Sequence, residues 1–218
     1  MNCLLVSATS LEISPFIQHC RNSEKLDYID LKLDFLITGV GMLNTTYALL
    51  KHIQLKKPDV VIDAGIAGTF TKKYLPGSVV VVKNELLADL GVDEKDGYKD
   101  VFDLKLLPQN QFPFTKKRLT NPHTAFLERT LLPQVNSISV NQITTSKKKA
   151  AIYQTKYKVQ VENMEGAAVH YACLREKIPF LQIRSISNFV GDRNKKNWKL
   201  KEAVGALNME LIRLVESL

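Results

Sequence analysis

A chain of 218 residues with 45% hydrophobic and 24% charged residues is long enough for one sizeable core, and its composition excludes a fibrous or intrinsically disordered protein. Its formal charge is +8, yet basic residues cluster only at 147–149 and 195–196 with no interleaved aromatics, which argues against a nucleic-acid platform and leaves an anionic small molecule compatible. Cys3, Cys20 and Cys173 are odd in number and widely spaced, which fits reduced thiols better than a disulfide framework, the four histidines lack ligand spacing, and no apolar run is long enough for a membrane, so the expectation is a cytoplasmic protein with no metal.

Residues 2–7 read as a buried strand. The small residues Ser7-Ala8-Thr9-Ser10 lead into a helix expected over 11–19. Glu12 falls just after that turn, and by position alone it is a first-turn carboxylate complementing the helix dipole. A further apolar run at 33–38 ends in Gly39-Val40-Gly41, followed by a helix over 43–55. A single GxG is weak evidence for a ligand loop. The run at 58–64 is a strong buried strand, and Gly65-Ile66-Ala67-Gly68 then reads as a second small-residue loop at a strand end. Two such loops predict a pocket approached by backbone amides.

Pro76-Gly77 is a turn and 78–83 a strand. The stretch 84–126 has little period and is expected to hold irregular strands and a loop over the active face. Asp89 and Asp93 within it read as loop carboxylates, facing either the site or solvent. A strand is expected over 137–144, a helix after Thr145-Ser146, and a short strand over 158–162.

Asn163 is a candidate N-cap, with Glu165 in the first turn of a helix whose apolar face carries Ala167, Ala168, Tyr171 and Leu174. Pro179 ends it, and an apolar strand runs on to Ser187-Asn188, where an open α/β sheet presents its ligands. A polar loop over 189–198 precedes a last amphipathic helix over 203–218, with Ala206, Met209, Ile212 or Leu211, and Val215 on one side. Strands alternate with helices and no linker or repeat interrupts them, so the chain is predicted to be α/β, one domain over 1–218.

The stretches NMEGAA (163–168) and RSISN (184–188), with Glu12 after the first strand and the loops GVG (39–41) and AGIAG (64–68), resemble the signatures of the purine nucleoside phosphorylase and nucleosidase superfamily. The resemblance spans nearly the whole chain and implies a three-layer α/β/α sandwich with a central mixed, partly barrel-like sheet. The early Glu12, with no arginine in the loop after the first strand, is closer to the hydrolytic branch than to the phosphorylases. Within that branch TGVGM (38–42), ADLGVD (88–93) and SNFVGDR with Trp198 are most similar to the futalosine hydrolases.

The resemblance implies that Glu165 accepts hydrogen bonds from the ribose hydroxyls with Met164 on the sugar, and that Glu12 deprotonates a water. It also implies that Val40 and Gly65, Ala67 and Gly68 approach the ligand, and that Gln142 and Ile143 line the base pocket. Methylthioadenosine nucleosidases carry aspartate where this chain has Asn188. A protonated aspartate donates to purine N7 and accepts from a 6-amino group; an amide donates to a 6-oxo group and accepts from protonated N7. Asn188 therefore points to a hypoxanthine-type base, and it cannot itself be the general acid. Arg193 is either the partner of a substrate carboxylate or a surface arginine, and Trp198 either covers the pocket or packs beneath the loop. No cofactor is implied. The expected partners are a small nucleoside and, by resemblance, further copies of the chain in a homodimer or larger homo-oligomer.

Overall fold

The structure, a computed structural model, describes residues 1–22, 31–95 and 97–217. Strand β1 (Asn2–Ser7) leads into α1 (Ser10–Asn22), and β2 (Lys32–Ile37) into α2 (Met42–Leu55). The long β3 (Val60–Thr69) and β4 (Val79–Leu87) come next, with the hairpin β5 (Gly91–Glu94) and β6 (Gly97–Asp100), and β7 (Leu119–Thr120). Helix α3 (Thr124–Arg129), β8 (Gln134–Ser139), α4 (Lys147–Tyr157) and β9 (Val161–Asn163) precede α5 (Gly166–Glu176), β10 (Phe180–Phe189) and α6 (Leu200–Val215).

The sheet runs β10-β4-β8-β9-β3-β1-β2, and β10 also pairs with β3, so five strands close on themselves while β1 and β2 extend as a flap. The expected mixed, partly barrel-like sheet is thus observed. Alternation explains the layers. Cys3, Leu5, Val60 and Ile62 pack with α1 and α6, while Leu4, Val6 and Val61 pack with α2 and α5. Strands buried on both faces need unbroken apolar runs, and these have them.

One expected loop is strand. Gly65 to Gly68 continue β3, because β10 pairs beside it from Val61 to Thr69. On its other edge β3 pairs with β1 only from Val60 to Asp63, and with β9 only at Gly68 and Thr69. The edge between those partners is open, and the site is built there.

Three further expectations change. The stretch 84–126 contributes no residue to the main cavity; its turns are tied instead to α4 by Asp100 and Asp103, which pair with Lys117 and Lys156. Helix α6 buries Ala203, Leu207, Leu211, Leu214 and Val215, so Leu211 and Val215 of the expected stripe face the core while Met209 is 68% exposed. Helix α5 buries Ala167 and Ala168 as expected but leaves Tyr171 40% exposed, and it buries Val169, His170, Ala172 and Cys173 as well, because the helix lies between a sheet and α2 and needs two apolar faces.

Candidate active site

A cavity of about 540 Å³ opens over the free edge of β3. Among the predicted site residues, Glu12, Val40, Ala67, Gly68, Ile143, Met164, Glu165 and Asn188 line it, as does Trp198. Gly65, Gln142 and Arg193 do not.

Glu12 is far more than a dipole complement. Its Oε2 accepts from the Thr9 N–H (3.0 Å), the Thr9 hydroxyl (2.8 Å) and the Ser7 hydroxyl (3.2 Å). Its Oε1 accepts from the Ile66 N–H (3.0 Å), an amide that β3 would otherwise give to a neighbouring strand. A carboxylate offers about four lone-pair positions. Oε2 is therefore filled, and Oε1 keeps one free site facing the cavity.

Gly65 sits behind this carboxylate: a Cβ there would lie 3.1 Å from Glu12 Oε1 and 3.4 Å from Arg184 Nη1. Its role is to let Glu12 and Arg184 converge. The backbone of Glu12 is fixed from another side. Pro15 lies inside α1, and at the next residue the hydrogen-bond ladder is opened by a side chain. The Phe16 N–H donates to Asn208 Oδ1 (2.8 Å), and Asn208 Nδ2 donates to the Glu12 carbonyl (2.8 Å). Helix α6 thus grips the turn that carries the carboxylate.

Glu165 is the N-cap of α5 rather than a first-turn residue, and its Oε1 accepts from the Gly41 N–H at 3.0 Å. Gly41 has φ +94 with open space around it, so glycine is there for its conformation. Asn163 does the capping: its Oδ1 accepts from the N–H groups of Glu165 (2.9 Å) and Gly166 (2.6 Å). Beneath it, Asn163 Nδ2 donates to Glu85 Oε2 (3.0 Å) and Ser137 Oγ (2.8 Å), and Gln182 Nε2 donates to the same Glu85 oxygen (2.9 Å).

Arg184, Asp63 and Glu85 are buried charged residues that sequence reading passed over as site residues. Arg184 donates to Asp63 Oδ2 at 2.6 Å. Burial alone would lower the Arg184 pKa, but Asp63, Glu165 and Glu12 overcome it and raise it. Burial pushes Asp63 upward and Arg184 opposes that. Both are charged, because guanidinium does not deprotonate in proteins and a neutral Asp63 would leave it buried without a counter-ion. Burial also raises Glu165, offset by Arg184 and the Gly41 amide. The result is one fixed cation below two carboxylates. The signal was available: an arginine inside the apolar run PFLQIRSIS is anomalous unless it is paired.

At the other end, Ser187 donates to Asn188 Oδ1 (2.8 Å), with the Ala67 carbonyl as its alternative acceptor, and Asn188 Nδ2 donates to the Phe189 carbonyl (3.0 Å). The amide keeps one donor and one acceptor position free. Gln142 is exposed; its N–H and that of Asn141 donate to Asp89, so Asp89 shapes the loop that presents Ile143. Arg193 stacks on Trp198 from outside, and the Trp198 indole N–H donates to the Asp192 carbonyl. Trp198 therefore both lines the cavity and packs on its loop. The cation lining the mouth is Lys201. Among the described residues no cluster of His, Cys, Asp and Glu is arranged to hold a metal ion.

The model of the phosphorylase superfamily matches residues 35–218. The chain is 30% identical over 217 residues to the futalosine hydrolase of Thermus thermophilus, covering 97% of this chain and 94% of that one. It is 25% identical over 190 residues to a 5′-methylthioadenosine/S-adenosylhomocysteine nucleosidase of Buchnera aphidicola, covering 84% and 78% respectively. In three dimensions it is similar to the native structure of futalosine hydrolase of Helicobacter pylori, with a TM-score of 0.81 at 17% identity over 100% of this chain and 98% of that one.

Proposed function

The chain belongs to the phosphorylase superfamily, and from that premise we propose that it hydrolyses the N-glycosidic bond of futalosine, releasing hypoxanthine and dehypoxanthine futalosine for menaquinone biosynthesis. Its class is that of an N-glycosidase. One observation carries the reading: a single cavity joins Glu12, anchored through four hydrogen bonds, to Glu165 at one end and to Asn188 at the other.

The chemistry follows from the free positions. A water on Glu12 Oε1 loses its proton to that carboxylate as it attacks C1′ of the ribose. A well-placed general base contributes about 10²–10⁴ in rate. Glu165 accepts from the ribose hydroxyls, and these bonds strengthen as the sugar becomes oxocarbenium-like. Arg184 opposes the rise that burial gives the Glu165 pKa and so favours its charged, hydrogen-bond-accepting form. Asn188 donates to O6 and accepts from the N7 proton of the departing base.

The substrate tail ends in a carboxylate in this reading, and Lys201 at the mouth supports it better than Arg193. The exposed apolar side chains Leu11, Val40, Leu43 and Tyr47 support a homo-oligomer, and the reading takes the whole chain as one cytoplasmic nucleosidase domain.

The test is release of free base from futalosine, inosine and methylthioadenosine, each with and without phosphate. Hypoxanthine release from futalosine without phosphate is the expected result. Strict phosphate dependence overturns the hydrolase, and faster cleavage of methylthioadenosine overturns the base assignment. Asn188→Asp is expected to shift preference toward 6-amino purines; an unchanged preference removes Asn188 from base recognition.

A further inference from the structure

The two basic clusters of the sequence, at 147–149 and 195–196, have no part in the mechanism, yet the fold brings them to one place. Residues 141–149 and 191–202 carry eight of the chain's cations and only two of its carboxylates, a net charge of +6 out of the whole chain's +8. Ile143 of the first segment and Trp198 and Lys201 of the second line the same cavity. The segments also meet: a Cβ at Gly191 would lie 3.9 Å from the Thr145 carbonyl oxygen. Lys147 and Arg193 each follow that meeting point by two residues, at most about 7.6 Å of chain.

Local structure holds these cations in the open rather than neutralising them. Ser146 caps α4 by accepting from the Lys149 N–H (3.3 Å), so the three lysines occupy the first turn of that helix. The helix dipole favours carboxylates there, and α4 has none. In the second segment Asp192 accepts from the Asn194 N–H (2.9 Å) and from Asn197 Nδ2 (2.8 Å). The Lys199 N–H donates to the Ser187 carbonyl (2.8 Å), which ties the turn carrying Lys195 and Lys196 to the end of β10. Among the described residues, Lys199 pairs with Glu202 at 3.8 Å, while Lys147, Lys148, Arg193, Lys195, Lys196 and Lys201 form no ion pair. Inside the cavity the sign reverses, because Glu12 and Glu165 line it.

We infer that this basic rim is an electrostatic funnel for an anionic nucleoside, drawing its charged tail to the mouth and favouring it over neutral nucleosides of the same base. This rests on the futalosine reading above, which supplies the tail carboxylate. Lys201 meets that carboxylate at the end of the approach; the rim acts earlier and at a distance, through its net charge. A cleft rimmed by one sign of charge raises the local concentration and encounter rate of a counter-ion by about 10–10³. The carboxylates within repel an anion, so the neutral base and sugar enter first and the tail stays outside. Cations spread evenly over the surface would do little, because screening limits each to about 10 Å at about 0.1 M salt. Gathered at one mouth, their potentials add.

The test compares futalosine with its methyl ester, which keeps the base, sugar and tail but has no charge. Both are assayed on the full-length wild type and on a variant carrying Lys147→Gln, Lys148→Gln, Lys195→Gln and Lys196→Gln, four exposed side chains outside the cavity. Salt is raised from about 0.01 M to about 1 M, which shortens the screening length from about 30 Å to about 3 Å. Over that range the wild-type kcat/KM is expected to fall at least about tenfold for futalosine and less than about twofold for the ester. The variant should lose at least about fivefold of the low-salt kcat/KM for futalosine, through KM, and nothing for the ester. Equal salt dependence of the two substrates overturns the inference alone, as does a variant that keeps the wild-type salt dependence. A wild type that cleaves neither substrate overturns the futalosine reading and this inference with it. If the variant does not fold, the comparison of the two substrates on the wild type decides.

Discussion

Replacing Gly166 by alanine sets two principles against each other with opposite signs. Gly166 opens α5, and alanine in place of glycine within a helix normally stabilises by about 0.5–1 kcal/mol. A Cβ at this position, however, would fall inside 3.0 Å of Gln182 Nε2 and Glu85 Oε2, both buried. Those atoms cannot retreat freely, because Gln182 Nε2 donates to that same Glu85 oxygen at 2.9 Å and Asn163 donates to it at 3.0 Å. Overpacking costs about 1–3 kcal/mol. Displacing the hydrogen bond from Gln182 to Glu85 adds about 1–3 kcal/mol, the cost of leaving a buried polar group unpaired. After the helix gain is subtracted, the net loss is about 1–5 kcal/mol. For a chain of this length that is a fall of roughly 2–20 °C in Tm. Urea unfolding at neutral pH and a thermal scan measure it, and futalosine turnover should fall too, because Asn163 holds the Glu165 amide. A Gly166→Ala protein as stable as the wild type, or more stable, would refute the close-packing account of the NMEGAA stretch.

Glu12→Gln should lower kcat by about 10²–10⁴ while changing substrate affinity little, measured by base release and by titration calorimetry; a loss mainly in affinity would make Glu12 a binding group. Lys201→Ala should raise KM for futalosine with kcat nearly unchanged, whereas Arg193→Ala, which sits outside the cavity, should leave both close to wild type; the reverse pattern returns the tail to Arg193. The buried pair His170 and Glu85 should produce compensating pH dependences. Burial lowers His170 to about 4, so between pH 6.5 and 4 the unfolded chain binds the extra proton and stability falls as pH is lowered. Burial raises Glu85 to about 7, so between pH 4.5 and 7 the folded chain holds the extra proton and stability falls as pH rises. Each effect integrates to about 3 kcal/mol, so Glu85→Gln should unmask a loss below pH 6.5 and His170→Gln a loss toward pH 7. Urea midpoints at pH 4.5, 5.5 and 6.5 that run parallel in all three proteins would refute it.

Local chemistry made much of this protein legible in its sequence. Continuous apolar runs gave the buried strands, because a strand covered on both faces has no polar alternative. Small residues after β1 and before α2 marked segments that line the cavity, through Ala8, Thr9 and Val40, and the NMEGAA and RSISN stretches located Glu165 and Asn188 within a known family. Glu12, Val40, Ile143 and Met164 line the cavity that the sequence led us to expect. What could not be read locally depends on register and closure. Gly65 to Gly68 look like a loop because glycine and alanine carry no strand preference, and only pairing with β10 makes them strand. The Ile66 amide is left to Glu12 because the pairing of β3 with β1 stops at Asp63 and its pairing with β9 begins at Gly68. No local pattern encodes that gap. Asn208 binds the turn of Glu12 from 196 residues away, and Glu85 supports Asn163 across 78. The sequence by itself thus determined most of the elements and most of the residues that line the cavity, since those follow from side-chain polarity and turn preference over a few neighbours. The closure of the barrel decided which amide Glu12 accepts and which cation lies beneath the carboxylates, because those are relations between strands distant in the chain.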